Sequence, residues 1–268
     1  MNTTFGFIGA GNMGGALARA AAKTLGGKNI ILADQMAEKA AALAEELGGK
    51  TADTTAVAEG CDYIFLGVKP QVMEAMLLSI APVLATRSDR FVLVSMAAGV
   101  AIADIRRMAG GDYPVIRIMP NIPASVGGGV ILYDTTDNVT EAEAAAFCQA
   151  MAQAGIVDRL PEKLIDAASA LSGCGPAFVS LFVEALADGA VACGLPRDKA
   201  LLYAMGTVKG TAAMLLETGM HPGQLKDAVC SPGGSTIAGV KALEDGGMRG
   251  TVMEAVDSAY ARTLELGK

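Results

Sequence analysis

Gly9-Ala10-Gly11-Asn12-Met13-Gly14 follows a short apolar run, Phe5-Gly6-Phe7-Ile8, and precedes an alanine-rich segment that reads as helix. A G-x-G-x-x-G turn between strand and helix presents backbone N–H groups and the positive end of the helix dipole to a ligand, which suits a pyrophosphate. Gly9 permits the tight turn, Gly11 lets the amides around Asn12 and Met13 approach the phosphates, and Gly14 lets the helix pack on the strand. Asp34, 20 residues past Gly14 at the end of the next apolar run, makes the pattern specific to a dinucleotide. Its carboxylate either accepts from a ribose 2′-OH, which would repel a 2′-phosphate and lean the site toward NADH, or caps the helix over 36–47.

Three further segments follow strands and so lie outside the carboxyl edge of the sheet, where open α/β folds bind ligands. These are Val68-Lys69-Pro70, Ser95-Met96-Ala97-Ala98-Gly99 and Met119-Pro120-Asn121-Ile122-Pro123. Small residues at Ala97, Ala98 and Gly99 and the fixed-φ prolines Pro120 and Pro123 imply close backbone approach to the nicotinamide. Lys69 faces either the cofactor or solvent, and Asn121 either joins the site or holds its own turn together. A second group lies late in the chain, where Ser231-Pro232-Gly233-Gly234-Ser235-Thr236 opens a helix. Gly233 and Gly234 expose N–H groups there, a place for a small carboxylate. Ser172-Gly173-Cys174-Gly175-Pro176 breaks helical periodicity at a cost by propensity, either to approach a nicotinamide or to allow a close helix crossing. Cys174 reads as a small packed residue, and His221, before Pro222, as a structural residue at a helix entry.

The elements that must position these residues come in two textures. Strands are predicted over 5–8, 29–33, near 50, and over 63–68, 91–95, 115–119, 129–133 and 156–160, alternating with helices. Several are continuous apolar runs, as in a parallel sheet covered on both faces. After Pro161 only helical patterns follow, with apolar residues on more than one face, for example Phe178, Leu181 and Leu186. The expectation is an α/β chain with a Rossmann-type dinucleotide-binding domain over 1–160 and an all-α dimerisation and substrate-binding domain over 161–268. The helical surface is expected to be buried against a second copy, the alternative being a helical layer packed onto its own Rossmann domain.

Bulk properties narrow the partners. The 268 residues are 52% hydrophobic and carry a formal net charge of −7, with a pI near 4.8, so neither nucleic acid nor an anionic membrane is an expected partner. Mean hydropathy is high, +0.41, yet the longest apolar runs fall short of a membrane span, and the start lacks the basic region of a signal peptide. A cytoplasmic location is expected. Five scattered cysteines without CxxC spacing and a single histidine suit reduced thiols and leave no usual zinc framework, so no metal is expected.

Val-Lys-Pro, Ala-Ala-Gly-Val and Met-Pro-Asn-x-Pro after successive strands, Ser172–Ala177, and the stretch from His221 through Ser231-Pro232-Gly233-Gly234-Ser235-Thr236-Ile237 to Gly239 together resemble the pyrroline-5-carboxylate reductase family over essentially the whole chain. The resemblance implies hydride transfer from NADPH or NADH to the C=N bond of 1-pyrroline-5-carboxylate, giving L-proline, in a homodimer or higher homo-oligomer interlocked by its helical domains. It further implies that Ser231, Gly234 and Ser235 hold the substrate carboxylate while the Thr236 hydroxyl faces the ring nitrogen. Many members carry Asn-Arg where this chain has Asp34-Gln35, which sets the family's usual NADPH against the charge of Asp34. Ile122 and Cys174 stand where threonine and serine are usual. A related hydroxyacid dehydrogenase would need a lysine and an asparagine a turn apart in the first long C-terminal helix, and 175–188 contains neither. A non-catalytic redox sensor would have no use for the Pro-Gly-Gly-x-Thr segment.

Overall fold

The computed structural model describes residues 3–266. It divides into two compact units, one running to Gly173 and taking in the chain again from Tyr260, the other spanning residues 174–259. In the first unit the order is β1 (Phe5–Ile8), α1 (Asn12–Leu25), β2 (Ile30–Ala33), α2 (Ala37–Leu47), β3 (Lys50–Thr51), α3 (Thr54–Gly60), β4 (Tyr63–Leu66) and α4 (Pro70–Thr86). There follow β5 (Val92–Ser95), α5 (Ile102–Ala109), β6 (Val115–Pro120), β7 (Gly129–Thr135), α6 (Glu141–Met151), β8 (Gly155–Arg159) and α7 (Glu162–Ser172). The helix α7 stays with the first unit, because it buries Ile165 against Met119 of β6 and Leu132 of β7.

The strands form one sheet in the order β3-β2-β1-β4-β5-β6-β7-β8. The first six are parallel, and this half has the 3-2-1-4-5-6 order of dinucleotide-binding sheets. β7 runs antiparallel to β6 and carries β8 with it, so the sheet is mixed where the strand pattern predicts parallel. The cause is the connection 121–128, which is shorter than the roughly dozen residues a parallel crossover needs. Its one-turn helix at Ile122–Val126 reverses the chain into a hairpin.

Both faces of the sheet are covered, so residues of either parity are apolar. Phe5, Phe7, Phe65, Val92, Val94, Ile116 and Ile118 pack under α1, α2 and α6, while Ile8, Ile64, Leu66, Leu93 and Val115 pack under α3, α4 and α5. Phe5 stacks on Tyr63 at 4.5 Å and Phe7 on Phe65 at 4.3 Å, ring to ring between centroids. Burying each such ring contributes about 2–3 kcal/mol. This core holds the strand ends of β1, β4 and β5 level, with Ile8 beside Leu66 and Leu66 beside Ser95.

The second unit contains α8 (Gly175–Ala192), α9 (Arg197–Thr218), α10 (Pro222–Ala228), α11 (Ser235–Asp245) and the start of α12 (Met248–Leu266). Its buried core is three alanines, Ala187, Ala200 and Ala204, with Val183, Val191 and Leu195 against them. Leu181, Leu202, Tyr203, Met205 and Leu216 are exposed, and α10 and α11 bury no residue. One helical stretch among the described residues, 162–192, is long and apolar enough by length and composition to cross a membrane. Counting apolar runs in the sequence misses it because the break at Gly173-Cys174 splits it.

Candidate functional site

The glycine turn is built as a joint between β1, β2 and β4. Gly9 donates its N–H to the Ala33 carbonyl at 2.7 Å, and Gly67 donates to the Ile8 carbonyl at 2.8 Å. Gly9 sits at φ +109, and a Cβ there would collide with the Gly67 carbonyl. A Cβ on Gly14 would collide with the Gly9 carbonyl. These two glycines are therefore demanded by the protein's own backbone. Gly11 is not. A Cβ on it would meet nothing within 4 Å, although it caps the start of α1, at φ −69, without a side-chain hydrogen bond. Gly11 and Asn12 are exposed, Met13 is half-buried, and the first turn of α1 has no acidic residue. No side chain caps the first N–H groups of this 14-residue helix, which fits a dinucleotide's phosphates.

Beside this turn lies a cleft of about 670 Å³ lined by Gly9, Gly11, Asp34, Val68 and Lys69 among others. It brings together five of the residues singled out from sequence, places Gln35 beside Asp34, and adds Thr54, Gly67 and Ser79, which the sequence motifs leave out. Gly67 had a signal in its glycine at the end of an apolar run. Thr54 and Ser79 had none, since helices α3 and α4 bring them in. Asp34 stands at the cleft but does not cap α2, whose cap is Met36 without a side-chain hydrogen bond. Its carboxylate lines the cleft, and it accepts from the Ala10 amide at 2.7 Å and the Met36 amide at 2.9 Å, tying the glycine turn to the entry of α2. A carboxylate offers about four acceptor positions, so a ribose hydroxyl can still be received. Lys69 is exposed at the cap of α4, Pro70 takes the first helical position, and Lys69 has no ion pair among the described residues.

Ala97, Ala98 and Gly99 follow β5 at the same sheet edge but outside the lining of that cleft. Ala97 is buried, Ala98 and Gly99 are exposed, and Gly99 at φ +71 makes the turn that leads into α5. Asn121 is buried, its side chain accepting from the Val130 amide and donating to the Ser172 carbonyl, both at 2.8 Å. It thus holds the β6–β7 turn against the end of α7. Cys61, under Gly6, is buried, and burial pushes its thiol up to about 12, so it is inert.

In the second unit, Ser231-Pro232-Gly233-Gly234 turns into α11 with Gly233 at φ +69 and the Gly234 amide donating to the Ser231 carbonyl at 3.0 Å. Gly234 itself is the cap of α11, with no side chain closing the helix start. Ser231, Gly233, Ser235 and Thr236 are exposed, and a Cβ on Gly234 would strike the Ser231 hydroxyl. An uncapped, glycine-bordered helix start with three hydroxyl side chains can bind one small carboxylate. The Ser172–Pro176 segment does separate two helices, α7 and α8, with Pro176 in the first turn of α8. A Cβ on Gly173 would come 2.7 Å from the Ser169 carbonyl, which accounts for that glycine. His221 caps α10, its Nδ1 accepting from the Gly223 amide at 3.1 Å.

Comparison with known proteins adds names to this geometry. Residues 162–266 match a family described as pyrroline-5-carboxylate reductase dimerisation, and residues 4–99 match one described as NADP oxidoreductase, coenzyme F420-dependent. The chain is 42% identical to a pyrroline-5-carboxylate reductase of Pisum sativum, covering 98% of this chain and 96% of that one. It is 39% identical to that of Escherichia coli, with both chains fully covered. Among solved structures, the Coxiella burnetii pyrroline-5-carboxylate reductase superposes with a TM-score of 0.93 at 31% identity over 100% of both chains. A Plasmodium falciparum pyrroline carboxylate reductase with NADP bound gives 0.85 at 31% identity, over 100% of this chain and 99% of that one.

Proposed function

The chain belongs to the pyrroline-5-carboxylate reductase family, and from that premise we propose which of its residues carry the reaction. The activity is reduction of the C=N bond of 1-pyrroline-5-carboxylate to L-proline by NAD(P)H. The observation that carries the site reading is Gly11, a glycine at the uncapped start of α1 that no atom of the described residues crowds. On the wall of the cleft it leaves room for a ligand, and the amides of Gly11, Asn12, Met13 and Gly14 hold the pyrophosphate. The dinucleotide extends along the cleft past Asp34, Val68, Lys69 and Pro70, with the nicotinamide toward Ala97, Ala98, Gly99 and the Asn121 turn.

Bound NAD(P)H supplies the hydride, and the protein's work is to position and polarise the acceptor. Ser231, Gly233, Gly234 and Ser235 grip the substrate carboxylate through N–H and hydroxyl donors. That grip orients the ring so that the Thr236 hydroxyl hydrogen-bonds its nitrogen, the atom that gains electron density as hydride reaches the neighbouring carbon. A protonated imine needs no stronger acid. Residues 161–268 serve as the dimerisation and substrate-binding domain, the exposed Leu181, Leu202 and Tyr203 being covered by a second subunit in a homodimer or a larger homo-oligomer. That occupant accounts for the apolar character of 162–192 without a membrane, and the proposed location is cytoplasmic. Asp34 turns the preference toward NADH.

The test is the fall in NAD(P)H absorbance on adding the cyclic imine, for wild type and Thr236→Val. Wild type turns over with at least one cofactor, and the valine enzyme loses about 10²-fold in kcat with cofactor Kd unchanged. An unchanged trace for wild type under both cofactors, or a valine enzyme with wild-type kcat, refutes these roles.

A further inference from the structure

Arg117 is a guanidinium inside the sheet: it lies on β6 with its residue 3% exposed, in register with Ser95 of β5 and Asp134 of β7. Its two terminal nitrogens reach α7, one to Glu162 Oε1 at 3.1 Å and the other to Asp166 Oδ1 at 2.9 Å, while its buried Nε has no partner among the described residues. Glu162 Oε1 also accepts the Ile102 amide at 2.8 Å. That N–H opens α5 and ends the connection 96–101, which begins at β5 and contains Ala97, Ala98 and Gly99. The Glu162 amide in turn donates to Asp134 Oδ2 at 2.6 Å. One carboxylate oxygen, 60 residues on from Ile102, therefore joins the far end of this connection to a charge buried in the sheet. A buried arginine is costly to keep unless its bonds set something in place.

We propose that Glu162, held by Arg117, is a positioning residue for hydride transfer: it anchors the 96–101 connection and so fixes the height of the nicotinamide edge. This rests on the reading above that Ala97, Ala98 and Gly99 border the nicotinamide. The phosphates are held by a different turn, so loosening the anchor moves the reacting end of the cofactor without releasing the cofactor. Oε2 of Glu162 carries none of these bonds, so a glutamine placing its oxygen at the Oε1 position keeps both.

The experiment compares kcat, dinucleotide Kd and Tm for wild type, Glu162→Ala, Glu162→Gln, Ile102→Pro and Asp166→Asn. Proline at the first helical position of α5 removes the N–H and leaves the ion pairs alone, so it answers the question if the alanine enzyme does not fold. Glu162→Ala and Ile102→Pro are expected to lose about tenfold or more in kcat with Kd within about twofold, since sub-ångström misplacement of a reacting group is expensive. Glu162→Gln is expected to recover most of that loss. Asp166→Asn, whose side chain bonds Arg117 and, among the described residues, no part of the 96–101 connection, is expected to lower Tm and leave kcat alone. Wild-type kcat per folded subunit in Glu162→Ala or Ile102→Pro, or failure of glutamine to rescue, overturns the proposal. An Ala98→Leu enzyme separates this from the underlying reading. Wild-type kcat there refutes the nicotinamide border and the anchor with it, whereas impaired Ala98→Leu beside active Glu162→Ala and Ile102→Pro removes the anchor alone.

Discussion

Replacing Asp34 with serine probes the electrostatic choice between the two cofactors, because the carboxylate is fixed. Bonds from the Ala10 amide at 2.7 Å and the Met36 amide at 2.9 Å occupy one position on each oxygen, so the charge cannot swing away from an incoming 2′-phosphate. With about 5 Å between a unit charge and a phosphate of roughly −1.5, and an effective dielectric of about 40 to 60, the repulsion is about 2 kcal/mol. That is roughly thirtyfold in the ratio of kcat/KM for NADH over NADPH, and Asp34→Ser is expected to shift the ratio toward NADPH by about that factor. The same change removes two charge-assisted bonds, of which serine can restore one. The remaining loss, about 1–3 kcal/mol, lowers Tm by several degrees. The assay is steady-state kinetics with each cofactor on the cyclic imine, beside a thermal melt without cofactor. A selectivity ratio that moves less than about twofold while Tm falls would show that Asp34 only braces the glycine turn, and the preference would have to come from elsewhere in the cleft.

Gly9→Ala and Gly11→Ala should separate cleanly. The first sets a side chain at φ +109 against the Gly67 carbonyl and is expected to lower Tm sharply, whereas the second leaves Tm near wild type and weakens dinucleotide Kd about tenfold or more; equal melting losses would contradict the division of labour. Hydrogen bonds from the Arg90 guanidinium hold the Glu143 carboxyl below the ordinary glutamate range, against an opposing effect of partial burial, with Thr140 bonds assisting. A depressed folded value means stability that is present above the unfolded pKa and lost as pH falls through the folded one. Glu143→Gln should therefore be less stable at neutral pH and show a flatter acid limb in urea midpoints, and a parallel pH profile would refute the assignment. Leu181→Glu, at a side chain two-thirds exposed in the single chain, is expected to shift sedimentation toward monomer and abolish turnover while leaving the first unit folded by circular dichroism; an unchanged sedimentation coefficient would place the interface elsewhere.

Much of this protein is legible in residue order because its signals are local. Apolar runs such as Tyr63–Leu66 are strands since both faces are covered, and each predicted strand is present within one or two residues. The glycine turn, the helix break at Gly173-Cys174 and the glycine-bordered start of α11 were readable for the same reason, as each violates helical propensity within a few residues. The family resemblance carried the activity, resting on those same short motifs.

What tertiary structure decided depends on residues far apart in the chain. Nothing in the apolar pattern of 129–133 tells a parallel strand from an antiparallel one, and the reversal of β7 came from the turn at Ile122–Val126. Asn121 sits in a segment that looks like a ligand loop, yet its amide meets Ser172, 51 residues on. Arg117 appears in sequence as a charge in an apolar strand and is explained only by Glu162 and Asp166 across α7. Propensity acts over a turn or a pleat, and a hydrogen bond is indifferent to separation along the chain. Local conformation was therefore written in the order of residues, while the partners of its buried polar groups were set only when the sheet and its helices closed.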